Sequence, residues 1–131
     1  MKILNAFSLS MLPSLTATVS TKEISLAEAQ QYAAHAPRIE SGVGHADTAA
    51  LFSRLLEVDV KCNRISIVLA RGELALVGQY IGLRLPEGTL TLPEGAVVKW
   101  ALVLVGGIPL QDEPCSVERE VWPQPGQAFY R

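Results

Sequence analysis

The sequence is poor in the residues that build metal centres and disulfide frameworks. It has two histidines and two cysteines, and Cys62 and Cys115 lie far apart with no partner motif around either. Two isolated cysteines favour neither a zinc site nor a disulfide framework, so we expect reduced thiols in a cytoplasmic protein. Metal catalysis needs three or more converging ligands, which the pattern does not offer. We therefore expect chemistry without a metal or other cofactor.

Positive charge is not in excess either. Eleven lysines and arginines against thirteen aspartates and glutamates give a net charge of −2, and the basic residues are scattered along the chain. Proteins that bind duplex DNA or RNA usually carry a basic surface or stripe. We therefore expect no duplex nucleic acid as a partner, and any nucleic-acid ligand should be small and held in a defined pocket.

Long apolar runs are missing as well. The longest candidate, residues 97–108, contains Lys99 and a glycine pair and is too short to span a bilayer. Near the amino terminus Asn5 and Ser8 interrupt the apolar residues, and no A-x-A cleavage site follows, which argues against a signal peptide. The sequence predicts a cytoplasmic protein with no membrane segment.

What the chain does have is a hydrophobic fraction of 49%, enough to bury the core of one domain. Patterns of apolar residues predict strands at residues 2–10, 15–24, 64–69, 73–80 and 97–105, of which the second is more polar and is either a strand or an extended connection. Arg71-Gly72 is a turn signal that would join the third and fourth into an antiparallel hairpin. The last strand is apolar on both faces and should be central. Residues 38–41 form a short extended piece, and a proline-rich arm without periodicity follows from about residue 107.

Two helices are predicted between these strands. Ser25-Leu26-Ala27-Glu28 is a capping box, which starts a helix that runs to about Ala34. From about His45 to Glu57 apolar residues recur at helical spacing. The predicted fold class is a single α/β domain with a mixed sheet of about five strands flanked by helices. The high apolar fraction of so small a chain also suggests a homodimer.

A glycine-punctuated turn, Ser41-Gly42-Val43-Gly44, leads directly into His45 at the start of the second helix. A helix start offers unpaired N–H groups and a partial positive charge, which favour an anion such as phosphate. A histidine at that place can also move a proton near neutral pH. The commoner role of such a histidine is a hydrogen bond to backbone or water, and the segment alone leaves both roles open.

Further polar residues sit at places where strands end. Arg64 opens one strand of the predicted hairpin and Gln79 lies near the end of the other, so the two side chains should meet at one rim of the sheet. Arg84 and Glu87 flank Pro86 in the next loop, and an exposed Arg–Glu pair of this kind contributes little stability. Asn5 interrupts an apolar strand and needs a hydrogen-bond partner, which is either backbone or a ligand.

In combination these segments resemble a known family, the viral and prophage ring nucleases that act as anti-CRISPR proteins against type III CRISPR systems. The resemblance covers roughly residues 1–105. It is carried by Leu4-Asn5, the helix start at residues 24–29, Gly44-His45-Ala46-Asp47-Thr48-Ala49, Asn63-Arg64, Gln79 and Arg84-Leu85-Pro86-Glu87-Gly88.

The resemblance implies a homodimer that binds cyclic tetra-adenylate across its two-fold axis. It further implies metal-independent cleavage to linear di-adenylates that end in a 2′,3′-cyclic phosphate. His45 falls on the family's catalytic histidine and Glu87 on its glutamate, which would orient His45 or bind a ribose hydroxyl. Asp47 departs from the family, whose members often carry serine or a similar small polar residue there. The ligand-binding residues implied are Asn5, Ser8, Gly44, Asp47, Thr48, Arg64, Gln79 and Arg84.

Two other functions remain open on the sequence. One is a non-catalytic protein that sequesters a cyclic nucleotide or regulates through a small nucleic acid. The other is a structural protein of a virus or mobile element. The sequence does not distinguish among rings of different size as the ligand.

Overall fold

The fold is organised around an open five-stranded sheet. The computed structural model describes residues 1–85, 91–106 and 122–126. The sheet order is β2-β5-β4-β1-β3. The elements are β1 Lys2–Leu4, a 3-10 turn at Leu9–Met11, β2 Val19–Ile24, α1 Leu26–His35, β3 Glu40–Ser41, α2 Ala46–Leu56, β4 Leu74–Ile81 and β5 Val97–Val105. The predicted fold class, a mixed α/β domain with five strands and helices beside them, is confirmed.

Parallel and antiparallel pairing divide the sheet. β1 runs parallel to both β3 and β4, whereas β5 runs antiparallel to β4 and β2. β5 therefore lies between two strands, as its two apolar faces predicted. The carboxyl ends of β1, β3 and β4 all meet at one edge of the sheet, which we call the carboxyl edge.

Each face of the sheet has its own hydrophobic core. The helices cover one face, where Phe52 of α2 packs on Trp100 of β5 with ring centroids 4.9 Å apart. The other face is covered by irregular chain, including Phe7 and Met11 after β1 and the buried Ile67 and Leu69 before β4. Residues on β4 alternate between the two cores because successive side chains of a strand point to opposite faces.

The predicted hairpin of residues 64–69 with residues 73–80 is wrong. Residues 64–69 form no strand, and β4 is paired with β1 on one side and β5 on the other. Ile67 and Leu69 are buried in the core on the face of the sheet away from the helices, which we call the second core. The Leu69 amide donates to the Met11 carbonyl at 2.8 Å. Apolar alternation reported the burial of these side chains correctly, but burial does not require a ladder of hydrogen bonds.

The predicted first strand is also too long. β1 ends at Leu4, and the chain then leaves the sheet to cover the second core. The number of strands is nevertheless five, because the short extended piece at residues 38–41 supplies β3.

The helix boundaries follow the predicted signals. The Ser25 Oγ accepts from the Glu28 amide at 3.1 Å, and a Glu28 carboxylate oxygen accepts from the Ser25 amide at 3.2 Å, which confirms the capping box. α2 ends at Leu56, and its C-cap residue Glu57 adopts a left-handed conformation with φ 61°. No helix in the described part of the chain is long and apolar enough to cross a membrane.

Part of the proline-rich arm is fixed against α1. The Tyr32 hydroxyl donates to the Pro123 carbonyl at 2.7 Å, Pro123 is fully buried, and Trp122 packs against the core under the helices. Residues 122 and 123 of the arm therefore cover part of α1 and its core. Its remaining residues, 107–121 and 127–131, lie outside the described residues.

An ion-pair cluster lies at the start of β1, at the edge of the sheet away from the carboxyl edge. The Lys2 Nζ lies 2.6 Å from a Glu73 carboxylate oxygen and 3.4 Å from one of Glu40, and only 12% of the Lys2 side chain is exposed. Burial opposes the charge, but the hydrogen bonds and negative charges of Glu73 and Glu40 outweigh it and raise the pKa of Lys2 above its ordinary value of 10.5. The cluster therefore stabilises the fold while Lys2 is protonated.

We expect Glu73→Gln to lower the free energy of unfolding by about 1 kcal/mol near neutral pH. Glutamine keeps the oxygen that accepts from the Ala70 amide but removes the charge facing Lys2. Because the pKa of Lys2 is raised on folding, the wild-type advantage should persist up to pH 10.5 and disappear as the pH rises through the higher folded value. Urea unfolding across this range measures it, with Glu40→Gln as the weaker control. A wild-type advantage that does not depend on pH would contradict the assignment.

A second expectation concerns Gly78 in the middle of β4. A Cβ there would lie 2.5 Å from Trp100 Cζ3 and 2.7 Å from Phe52 Cζ, so Gly78→Ala forces the two rings apart. Overpacking of this kind costs about 1–3 kcal/mol, which chemical denaturation would measure. Gly44→Ala is the matched control, because its Cβ would meet only Arg64 Cγ at 3.4 Å. Equal stability of the two variants would show that the packing of the two rings does not require glycine at position 78.

Candidate functional site

The carboxyl edge gathers the polar residues that the sequence singled out. Asn5 follows β1, Gly44 and His45 follow β3, and Arg84 follows β4. In open α/β sheets ligands bind in the crevice beyond the carboxyl ends of parallel strands. This edge is therefore the place where the topology favours a binding site.

A cleft of about 830 Å³ opens at this edge. One side is supplied by the start of α2 and the other by the end of β4 and the loop after it. The lining residues are His45, Asp47, Thr48, Tyr80, Gly82, Arg84 and Leu85. The structure therefore brings four predicted site residues, His45, Asp47, Thr48 and Arg84, to one cavity.

The turn before α2 is held by a second segment of chain, residues 61–64. Val43 pairs in parallel with Cys62, and the Asn63 amide donates to the Val43 carbonyl at 2.7 Å. The Ser41 Oγ donates to the Lys61 carbonyl at 2.5 Å, and the Asn63 side-chain amide donates to the Ser41 carbonyl at 2.9 Å. These contacts add one parallel bridge beyond β3 and hold the turn that leads to His45 against residues 61–64.

Two glycines in this turn have distinct neighbours. A Cβ on Gly42 would lie 2.6 Å from Leu4 Cδ2 and 2.8 Å from Ile67 Cγ1, so glycine allows the turn to lie directly on the second core. The Gly44 carbonyl accepts a hydrogen bond of 2.6 Å from the Arg64 Nε. Arg64 therefore reaches the site from the neighbouring segment and not from a hairpin strand.

His45 occupies the N-cap position of α2 with extended backbone angles. Its carbonyl accepts from the Ala49 amide at 2.9 Å, while its side chain makes no hydrogen bond to the first amides of the helix. The imidazole is exposed and lines the cleft. The start of α2 and its helix dipole therefore lie beside a histidine whose side chain does not cap the helix, an arrangement that favours an anionic ligand.

The opposite wall is built by the end of β4. The Tyr80 hydroxyl donates to the Leu83 carbonyl at 2.5 Å, across Gly82. Gly82 has φ 155°, and a Cβ there would lie 2.7 Å from the Ala96 Cβ. This turn carries the exposed Arg84 to the cleft.

Other predicted residues lie outside the cleft. Gln79 shares its face of β4 with Ala75 and Val77, so it lies on the other side of the sheet from Tyr80, next to Lys99 of β5. Ser8 is exposed and its Oγ lies 2.8 Å from that of Ser10. Asn5 is half-buried directly after β1.

Glu87 lies outside the described residues. Among residues 1–85, 91–106 and 122–126, no group of three or more His, Cys, Asp or Glu side chains is placed to hold a metal ion.

Sequence reasoning missed Tyr80, Gly82 and Leu85. A usable signal was present for Tyr80, because the alternation of β4 puts it on the same face as Leu76, which packs under the helices. A side chain on that face at the carboxyl end of the strand must point towards the start of a covering helix.

Comparisons with known proteins agree with the fold. The chain is 33% identical over 86 residues, which are 66% of this chain and 71% of the relative, to "Uncharacterized protein 26" of Sulfolobus islandicus filamentous virus (isolate Iceland/Hveragerdi). Its structure is similar to that of B116 of Sulfolobus turreted icosahedral virus (STIV), with a TM-score of 0.66 and 21% identity. That likeness covers 79% of this chain and 97% of the viral protein and shows a shared fold.

The family assignment comes from a longer match. The model of the STIV B116-like family, a family of viral proteins, covers residues 1–100. This span includes all five strands except the end of β5, both helices and every described residue of the cleft. The chain therefore belongs to the STIV B116-like family.

Proposed function

We propose that this protein is a metal-independent ring nuclease that cleaves cyclic tetra-adenylate and so switches off type III CRISPR signalling. The observation that carries the proposal is the place of His45. Its exposed imidazole lines a cleft, at the start of a helix whose first amides it does not cap, and Arg84 lines the same cleft. A proton donor, an anion-binding helix start and a cation thus border one space large enough for part of a nucleotide.

The linkage in an oligoadenylate carries its own nucleophile, the ribose 2′-oxygen. In the proposed reaction this oxygen bonds to phosphorus and releases its proton to solvent, while the bond from phosphorus to the 5′-oxygen breaks. His45 gives a proton to the leaving 5′-oxygen as the general acid. The products are linear di-adenylates with a 2′,3′-cyclic phosphate, and the protein supplies orientation and charge stabilisation.

Charge on the phosphate would be stabilised from both walls of the cleft. The start of α2 and Thr48 lie beside His45, and Arg84 comes from the other wall. Asp47 lines the same cavity, and its carboxylate would repel a phosphate placed against it. The phosphate is therefore expected on the Thr48 side of the helix start, with Asp47 complementing the helix dipole.

The remaining assignments follow the resemblance. A homodimer would present one His45 to each of two opposite phosphates of a ring with two-fold symmetry. Glu87 would orient His45 or bind a ribose hydroxyl, and Asn5, Ser8, Arg64 and Gln79 would contact the ligand. Because Gln79 lies on the other side of the sheet from Tyr80, its contact requires a ligand that extends over both faces of the carboxyl edge.

Purified protein should convert cyclic tetra-adenylate to di-adenylate in the presence of EDTA, with products identified by mass spectrometry. His45→Ala should lose about two to four orders of magnitude in rate, the usual contribution of a positioned proton donor. It should retain binding of the ring, because the helix amides and Arg84 remain.

His35→Ala is the matched control, since His35 lies at the end of α1 and bonds the Gln31 carbonyl at 2.9 Å. Full activity of His45→Ala would refute the role of general acid. If the wild-type protein binds the ring tightly without cleaving it, the result would favour sequestration of the ring over the proposed nuclease activity.

A further inference from the structure

The turn that follows β4 is fastened to the sheet at two points. At the first, the backbone of Gly82 lies against Ala96, so close that a Cβ would come within 2.7 Å of the Ala96 Cβ and 3.1 Å of its Cα. At the second, the Tyr80 hydroxyl reaches over Gly82 and donates to the Leu83 carbonyl at 2.5 Å. The first contact fixes where the turn begins, and the second fixes the orientation of the residue that follows.

The held carbonyl belongs to the peptide unit that joins Leu83 to Arg84. Because this unit is planar and rigid, fixing its oxygen also fixes the direction in which the Arg84 Cα leaves the turn. Among the described residues this peptide has no other anchor, since the Leu83 side chain is 83% exposed and Arg84 itself is exposed. Within the described residues the Tyr80 hydroxyl is therefore the contact that sets the approach of Arg84 to the cleft.

We propose that Tyr80 is a positioning residue, whose hydroxyl holds the Leu83–Arg84 peptide and thereby keeps the Arg84 guanidinium at the cleft lined by His45. This inference rests on the proposed function, in which Arg84 stabilises charge on the phosphate. Tyr80 then acts through Arg84 and takes no part in proton transfer.

The alternative is that the Tyr80 hydroxyl contacts the ligand itself, because the side chain also lines the cavity. The two roles differ in their dependence on Arg84. A hydroxyl that acts only by placing Arg84 has no effect once Arg84 is removed, whereas a direct contact keeps its effect. A double-mutant cycle therefore separates them.

The experiment measures kcat and KM for cyclic tetra-adenylate with wild type, Tyr80→Phe, Arg84→Ala and the double variant. Tyr80→Phe should lower kcat/KM about 2- to 10-fold, the range that corresponds to one neutral hydrogen bond. Arg84→Ala should lower it further, and Tyr80→Phe should have no additional effect in the Arg84→Ala background. Additive losses, or full activity of Tyr80→Phe, would overturn the proposal.

Tyr32→Phe is the matched control. It removes another hydrogen bond from a tyrosine hydroxyl to a main-chain carbonyl, that of Pro123, and Tyr32 lies near Met1 and Lys2, away from the carboxyl edge and the cleft. We expect kcat and KM of Tyr32→Phe to remain at wild-type values, even if its stability falls. A loss equal to that of Tyr80→Phe would point to general destabilisation and would count against a specific role for Tyr80.

Backbone 15N relaxation gives a readout that does not need activity. In Tyr80→Phe the order parameters of residues 83–85 should fall, because their backbone has lost the hydrogen bond to the Leu83 carbonyl, while those at the start of α2 should not change. Tyr32→Phe should leave both unchanged. If the wild-type protein neither cleaves nor binds the ring, the proposed function fails and relaxation alone decides the inference. Unchanged order parameters at residues 83–85 in Tyr80→Phe would overturn it whatever the activity.

Discussion

The missing side chain at Gly78 is the constraint on which the site depends. Because β4 has no Cβ at this position, the rings of Phe52 and Trp100 descend to within van der Waals contact of the strand backbone. Phe52 is the central apolar residue of α2, so this contact sets how closely the helix lies on the sheet and how far its first turn extends past the carboxyl edge. The packing of Phe52 in the core, seven residues after His45, therefore helps to set the position of His45.

The two sides of the cleft are held by different kinds of interaction. The start of α2 is tied to residues 61–64 by main-chain pairing and by the Ser41 and Asn63 side chains. The opposite side is a turn after β4 fastened by one glycine contact and one tyrosine hydroxyl. Among the described residues the backbone before His45 therefore has more hydrogen-bond contacts than the turn that carries Arg84.

Local signals in the sequence identified what is local in the structure. The capping box, both helices, the interior strand β5 and the His45 turn all follow from short-range patterns of caps, glycines and apolar spacing. The pairing of Val43 with Cys62 joins segments about twenty positions apart, and nothing in either segment specifies the other. For the same reason the sequence predicts a hairpin between residues 64–69 and 73–80, whereas β1 is the strand that pairs with β4 on that side. The strand that carries Tyr80 is predicted, but the place of Tyr80 in the cleft depends on its distance from α2, which local patterns do not give.

The parallel pairing of β1 has a consequence for how the molecule is made. β1 is three residues long, and its neighbours β3 and β4 come from Glu40–Ser41 and Leu74–Ile81. During translation β1 is made before β3 and β4 and pairs with them only later, because closing such long loops costs entropy before any strand contact compensates for it. β2 has β5 as its neighbour in the described sheet, so the five-stranded sheet is complete only after β5 has been translated.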